Sequence, residues 1–485
     1  MKKFGLGIVL GICIMGFTAA SLAAELKTDG WLGTKTVYSQ RTALGQIYPR
    51  EDQVGNDYVH LRGRLRLDFS SAPDVGVVWH NEFDFDFGRG AYGSDNATGN
   101  AVNRGFGGGL GADTTNVETK QLYLYYKVPE IPLKGTVGVN WSVDDFDWVI
   151  LGNDTAGFTF NYGKDIDLRL GLYRFWEENI AEINDNVEFF TLSGSKKVGK
   201  SKIGLAGYYL WDRGSDGNGV LNTAGASGRN GFASLAQNAA TGFRELIPNG
   251  TDYELKSYFA GIFGETMLPG DFSLSAWGVY NFGDVDVQGG DSIDINGFAV
   301  DARLSKKVIN VKFTLEGLYI SGADDDDDEE FGFTTSGLYS AGSNFFYKHG
   351  MMILLPDGDD WNYSSALVYN VSNIFEDRFL GVTGAFLNAE FPLTNKLSGK
   401  LGLGTIFSAE KRVVNNERYM ATEIHGKLYY QLAPKMTVAL KGAYAFTGDF
   451  YEVSAAEAAA SPKGVAPNED PDDIAYTYLE VKVLF

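Results

Sequence analysis

The chain closes on Ile474-Ala-Tyr-Thr-Tyr-Leu-Glu-Val-Lys-Val-Leu-Phe485. Read as an extended strand, period two puts Thr477, Leu479, Val481, Val483 and Phe485 on one face and Tyr476, Tyr478, Glu480 and Lys482 on the other. One side is apolar and ends in an aromatic ring; the other carries hydroxyls and charges. That division suits a strand set between lipid and a watery lumen, with Phe485 as its membrane-assembly signal. An edge strand of a soluble antiparallel sheet alternates in the same way, so the decision passes to the rest of the chain.

At the opposite end Lys2 and Lys3 precede an apolar run from Phe4 to Ala19, and Ser21-Leu-Ala23 supplies small residues for a signal peptidase. The reading is a signal peptide over 1–23 followed by one mature unit over 24–485. Cys13, the single cysteine, lies inside the leader and follows the bulky Ile12, which argues against a lipoprotein processing site. The mature chain then has no disulfide and no thiolate metal site, and it lacks the Cys-x-x-Cys-His run of covalent haem attachment. No cofactor and no metal is expected.

Beyond the leader no run of about eighteen apolar residues occurs, so no transmembrane helix is available. The 26 Tyr and 33 Phe suit the girdles of a barrel, and 61 Gly against 12 Pro suit its turns and loops. A formal net charge of −21 excludes nucleic acid as a natural partner. Alternating segments recur along the whole chain, joined by short connections such as 129–132, 163–165, 268–271 and 306–310. Longer connections at 41–56, 88–115, 143–154, 212–252, 322–378 and 448–473 fall between them and are expected to face outward. The fold class is an all-β, antiparallel, up-and-down transmembrane barrel of about eighteen strands by the even-number rule, with sixteen and twenty as neighbouring counts. Phe345–Leu355 and Trp361–Val371 would be the extra hairpin that makes twenty.

The most informative strand is Tyr58-Val-His-Leu-Arg-Gly-Arg-Leu-Arg-Leu-Asp-Phe69. An arginine in mid-bilayer lipid costs about 2–4 kcal/mol, so three together would approach the stability of a whole domain. Arg62, Arg64 and Arg66 therefore point inward. In the next strand Glu82, Asp84 and Asp86 alternate with Trp79, Phe83, Phe85 and Phe87. With a turn centred near Ala72, Arg62 falls opposite Glu82, Arg64 opposite His80, and His60 opposite Asp84. Arg169, Asp301, Arg303 and Lys427 extend the polar lining elsewhere. Such charges pair with one another in any wide barrel, and they also set a field on entering solutes. Tyr123 and Tyr125 add aromatic faces on which a sugar could stack.

Inward folding of the 212–252 loop or the Gly-rich 88–115 loop would narrow the lumen. The acidic run Asp324–Glu330 lacks the spaced ligands of a calcium loop and reads as a solvated surface. The Gly-rich stretches have no strand-to-helix context for phosphate. A barrel hydrolase would need a histidine constellation, and His60 beside His80 and Asp84 is the grouping to consider.

The stretch Leu428-Tyr-Tyr-Gln-Leu-Ala-Pro-Lys-Met-Thr-Val438, running into Ala443-Tyr-Ala-Phe-Thr-Gly-Asp-Phe450 and the terminal Phe485, resembles the closing strands of the bacterial outer-membrane porin superfamily, and more loosely its alginate-export-like branch. The resemblance covers about the last hundred residues. It implies a water-filled channel in the outer membrane for passive diffusion of small hydrophilic solutes or ions. A specific channel for a sugar, an organic acid or an anionic polysaccharide is the alternative. The partners it implies are outer-membrane lipid and lipopolysaccharide, the barrel-assembly machinery and the solutes themselves, with a homotrimer among the assemblies such pores form.

Overall fold

The computed structural model describes residues 25–40, 58–72, 74–87, 116–176, 187–213, 253–323, 330–334, 351–354, 380–411, 416–452 and 473–485. The expected leader, the loops 88–115 and 214–252 and the acidic run 324–329 lie outside them. Of the 212–252 loop, Asp212 is the end of a wall strand and Arg213 follows it.

The strands run in chain order as β1 (Glu25–Gln40), β2 (Tyr58–Ala72), β3 (Val75–Phe87), β4 (Asn116–Val128), β5 (Leu133–Val143), β6 (Gly152–Gly163), β7 (Asp167–Trp176), β8 (Val187–Val198), β9 (Ser201–Asp212) and β10 (Tyr253–Leu268). They continue as β11 (Phe272–Val287), β12 (Ile293–Val308), β13 (Val311–Ile320), β14 (Glu330–Phe331), β15 (Val382–Pro392), β16 (Leu397–Phe407), β17 (Tyr419–Ala433), β18 (Met436–Thr447) and β19 (Ile474–Leu484). Each long strand pairs antiparallel with its neighbours in sequence, and β19 returns to β1 in a register from Trp31 opposite Leu484 to Gln40 opposite Ala475. The sheet is closed. β13 pairs directly with β15, while two-residue β14 lies parallel to β12, filling the wall above the point where β13 ends. Eighteen strands therefore form the wall among the described residues. The extra hairpin is not formed at Met351–Leu354, which is not a strand, and 361–371 lies outside the described residues.

Closure satisfies the backbone groups that an open sheet would leave on its edges. The side chains then sort by period two. Leu205, Leu401, Ile424 and Leu440 are exposed on the outer face, whereas their chain neighbours are buried or charged on the inner one. A continuous apolar exterior of this extent is stable against hydrocarbon rather than water. Toward the rim with the long connections, Phe190, Tyr209, Tyr258 and Phe282 stack across β8 to β11 with ring centroids 4.7–6.0 Å apart.

The opposite rim carries the tight turns, which occur where Pro, Gly and Asn predict them. In the β10–β11 turn, three residues between the paired Leu268 and Phe272, Gly270 and Asp271 both adopt positive φ, the left-handed backbone such tight hairpin loops use. The β2–β3 register is a correction to the sequence reading. The strands meet at Ala72 and Val75, with an irregularity between Ser70 and Ala72, so the hairpin centre moves one residue along. The partners become His60 with Asp86, Arg62 with Asp84, Arg64 with Glu82, and Arg66 with His80.

The seam between first and last strands has its own fitting. Phe485 donates its backbone N–H to the Gly30 carbonyl at 3.1 Å, and a Cβ placed on Gly30 would lie 2.8 Å from the Phe485 ring and closer still to the Arg64 carbonyl. Gly30→Val is expected to displace that ring at a cost of about 1–3 kcal/mol by overpacking. Heat-modifiability on gels, comparing unboiled folded barrel with the parent at rising temperature, checks this; an unshifted midpoint would contradict it.

Candidate functional site

The interior of the cylinder is unevenly divided. On the β2–β4 arc the sequence-predicted charges converge on one carboxylate. Glu82, 2% exposed, receives Arg62, itself 5% exposed, on Oε1 and Arg64 on Oε2 at 2.5 Å. Lys120 stands 3.8 Å from the same carboxylate and 3.9 Å from Asp154. Arg62 thus reaches diagonally to Glu82, while Arg64 lies directly opposite it. Arg66 donates to the Tyr123 hydroxyl at 3.3 Å, and the Tyr125 hydroxyl donates to Asp68 at 3.2 Å. The backbone register puts Asp84 and Asp86 on the same face, across from Arg62 and His60; their side chains are not among those described.

Basic groups continue across the seam. Lys35 lies 4.3 Å from the Tyr478 ring, Lys441 pairs with Glu480 at 3.0 Å, and Lys482 lies 4.6 Å from the Trp31 ring. Lys427 is buried on β17, opposite Lys400 on one side and Lys441 on the other. The inner faces from β16 round to β4 therefore carry a mixed lining, with these cations set among Glu480, Asp68, Glu82 and the register positions of Asp84 and Asp86.

The other side of the lumen is filled by chain. The β5–β6 connection, expected to face outward, turns into the barrel. Phe146 is fully buried and packs edge-on against Tyr208, Phe263 and Trp277, on the wall made by β9, β10 and β11. Val149, Ile150 and Leu151 are buried with it. What holds the turn is Asp144. Its Oδ1 accepts the N–H groups of Phe146 and Trp148 at 2.7 and 2.9 Å, and its Oδ2 those of Ile150 and Leu151 at 2.5 and 2.7 Å. Burial raises this carboxyl to about 6, although the four donors pull the other way.

The two arginines expected to line the pore elsewhere are committed to this connection. Arg169 pairs with Asp145, whose Oδ2 also accepts the Tyr208 hydroxyl at 3.1 Å. Arg303 sits 3.2 Å from Asp147, 3.0 Å from Glu316 and 3.4 Å from Asp301, and Asp147 accepts the Trp277 indole N–H at 2.9 Å. Three carboxylates around one guanidinium leave this side acidic.

A second stretch of chain enters from the β14–β15 connection. Thr334 donates its N–H to Asn281 Oδ1 at 2.9 Å, and Phe333 packs against Phe259 at 6.0 Å. Met351, Met352, Ile353 and Leu354 are fully buried against the β17 wall. Glu423 accepts the N–H groups of Met352, Ile353 and Leu354, each at 2.8 Å.

Sequence reasoning missed both inward segments, yet each carries a signal. Phe146, Trp148, Val149, Ile150 and Leu151, and again Met351-Met-Ile-Leu-Leu355, are too apolar for connections left in water. The histidine grouping considered for hydrolysis is not assembled. His60 and His80 sit on rungs six residues apart along the hairpin, about 20 Å in an extended strand. Among the described residues no group of three or more His, Cys, Asp or Glu could hold a metal ion.

The architecture has a match among solved structures. A BenF-like porin from Pseudomonas fluorescens Pf-5 aligns at TM-score 0.51, with 10% identity over 95% of this chain and 98% of that one. This chain has a porin fold. Pseudomonas aeruginosa OpdK with vanillate aligns at TM-score 0.50 and 11% identity, covering 95% and 98% of the two chains. Acinetobacter baumannii OccAB1 gives TM-score 0.50 and 10% identity over 96% and 99%. No protein-family model and no curated protein matches the chain.

Asp144 is the part of the constriction that a single substitution tests. In Asp144→Ala four N–H groups, three of them buried, lose their acceptor, and at about 1–3 kcal/mol for each buried unsatisfied group the connection loses at least about 3 kcal/mol of local stability. Amide exchange in the 144–151 peptide is then expected to accelerate about a hundredfold by mass spectrometry. Exchange equal to the parent would show that the packing of Phe146 alone holds the turn.

Proposed function

We propose that the protein spans the outer membrane as a porin, exported through a cleaved leader, and passes small hydrophilic solutes down their gradients without any covalent step. The observation that carries this reading is the sorting of one closed cylinder into an apolar exterior and an inner face bearing Arg62, Arg64, Arg66, Glu82, Lys35, Lys427 and Lys441. Charged side chains of this number on an inner wall suit a hydrated path, because a solute's shed water is replaced by fixed dipoles and charges at several weak sites. The inward β5–β6 and β14–β15 connections occupy the β8–β17 side. The remaining path runs along the β1–β4 wall.

Its solutes are small organic anions in preference to cations. Arg62, Arg64, Arg66 and Lys120 face the acidic group around Arg303, so an anion is drawn to the cations of one wall and repelled from the other. OpdK was crystallised with vanillate, a small aromatic carboxylate, and Trp31 and Tyr123 stand beside Arg64 and Arg66 here. Phe485, locked to Gly30, serves the assembly machinery as the end of the last strand, and the apolar exterior meets outer-membrane lipid and lipopolysaccharide.

Replacement of Arg62, Arg64 and Arg66 together by Ala is expected to lower the anion-to-cation permeability ratio at least about threefold in planar bilayers under a salt gradient. Reversal potentials identical to the parent's would remove these residues from the path.

A further inference from the structure

Glu423 has a role that a charge on the inner wall does not require. It lies on β17 with no exposure, opposite Gly404 of β16 on one side and Ala445 of β18 on the other. Two small residues flank one long carboxylate, and the space they leave is occupied. A Cβ on Gly404 would lie 2.7 Å from Met351 Sδ and 2.7 Å from the Phe386 ring. The carboxylate takes three consecutive N–H groups, those of Met352, Ile353 and Leu354, and its Oε1 also lies 2.8 Å from His425 Nδ1. Three successive amides converging on one anion form a backbone nest, the geometry by which main chain grips a fixed negative charge. Here the anion belongs to the wall and the nest to the connection.

Four apolar side chains in a row need a dry seat, and three amides need an acceptor, so neither half of this contact is stable without the other. We propose that Glu423, together with the recess at Gly404, is a positioning site that seats Met351–Leu354 inside the barrel and thereby sets the open bore, an inference that rests on the channel reading above. The wall chooses the bore through a carboxylate that need never touch the solute. The β5–β6 connection holds itself through Asp144, whereas this second segment depends on a residue 69–71 positions away in sequence.

Single-channel recording of the full chain, as parent, Glu423→Ala and Gly404→Val, tests the proposal. The first variant removes the acceptor and the second fills the recess by a different chemistry. Both are expected to raise conductance at least about 1.5-fold by widening the path, while the heat-modifiable folded form is retained. Glu423→Asp, which keeps the carboxylate, should fall closer to the parent than Glu423→Ala. Amide exchange over 351–354 should accelerate in Glu423→Ala and leave 144–151 unchanged. Folded variants with the parent's conductance and the parent's exchange would overturn the proposal. A parent that inserts but carries no current would instead refute the channel reading, with exchange still deciding whether Glu423 seats the segment. Should Gly404→Val fail to fold, Glu423→Ala decides alone.

Discussion

A backbone amide in hydrocarbon has nowhere to hydrogen-bond except another strand, and that constraint governs this molecule. Ten residues of β1 against ten of β19 convert a sheet with two open edges into one with none. Once the ring is shut, radius and interior volume follow from strand number, and at eighteen strands the interior is too wide for wall side chains to fill. The remaining architecture is the response to that surplus volume. Among the described residues, one sector is filled by chain folded in from a rim, and the other is lined by charged side chains.

The two sectors use carboxylates in opposite ways. Glu82 gathers guanidinium groups, so cation and anion leave water together; stripping one partner from such a buried set costs about 3–5 kcal/mol. Asp144 and Glu423 gather backbone N–H groups instead, spending their charge on main chain. The acidic character of the sequence is therefore partly structural, since some of its carboxylates serve as internal acceptors for connections that would otherwise bury unsatisfied amides.

Strand positions were legible because lipid on one side and water on the other impose period two over most of each strand, and because Pro129, Gly199, Gly270 and Asn310 mark where it breaks. Register was less so. Alternation places Arg62 and Glu82 on one face, but it is indifferent to a shift of two residues, and the hairpin centre at Ala72 differed from the observed one by a single residue. The fate of the connections was hidden for a different reason. Length and glycine content drew attention to 88–115 and 212–252, which lie almost wholly outside the described residues, whereas the described segments that enter the lumen are recognisable by apolar content, as in Val149-Ile-Leu151 and Met351-Met-Ile-Leu354. Their anchors, Asp144 and Glu423, look like any other acidic residue until the amides around them are known.

The face-to-face rings of Phe190, Tyr209, Tyr258 and Phe282 bear on how the cylinder sits in its host. Tyrosine rings favour the headgroup boundary, and two of them locked between phenylalanines across adjacent staves give that flank a firmer waterline than any single ring could. A bilayer that thickens or thins is then met by leaning about this flank, with lipids elsewhere stretching or compressing to match.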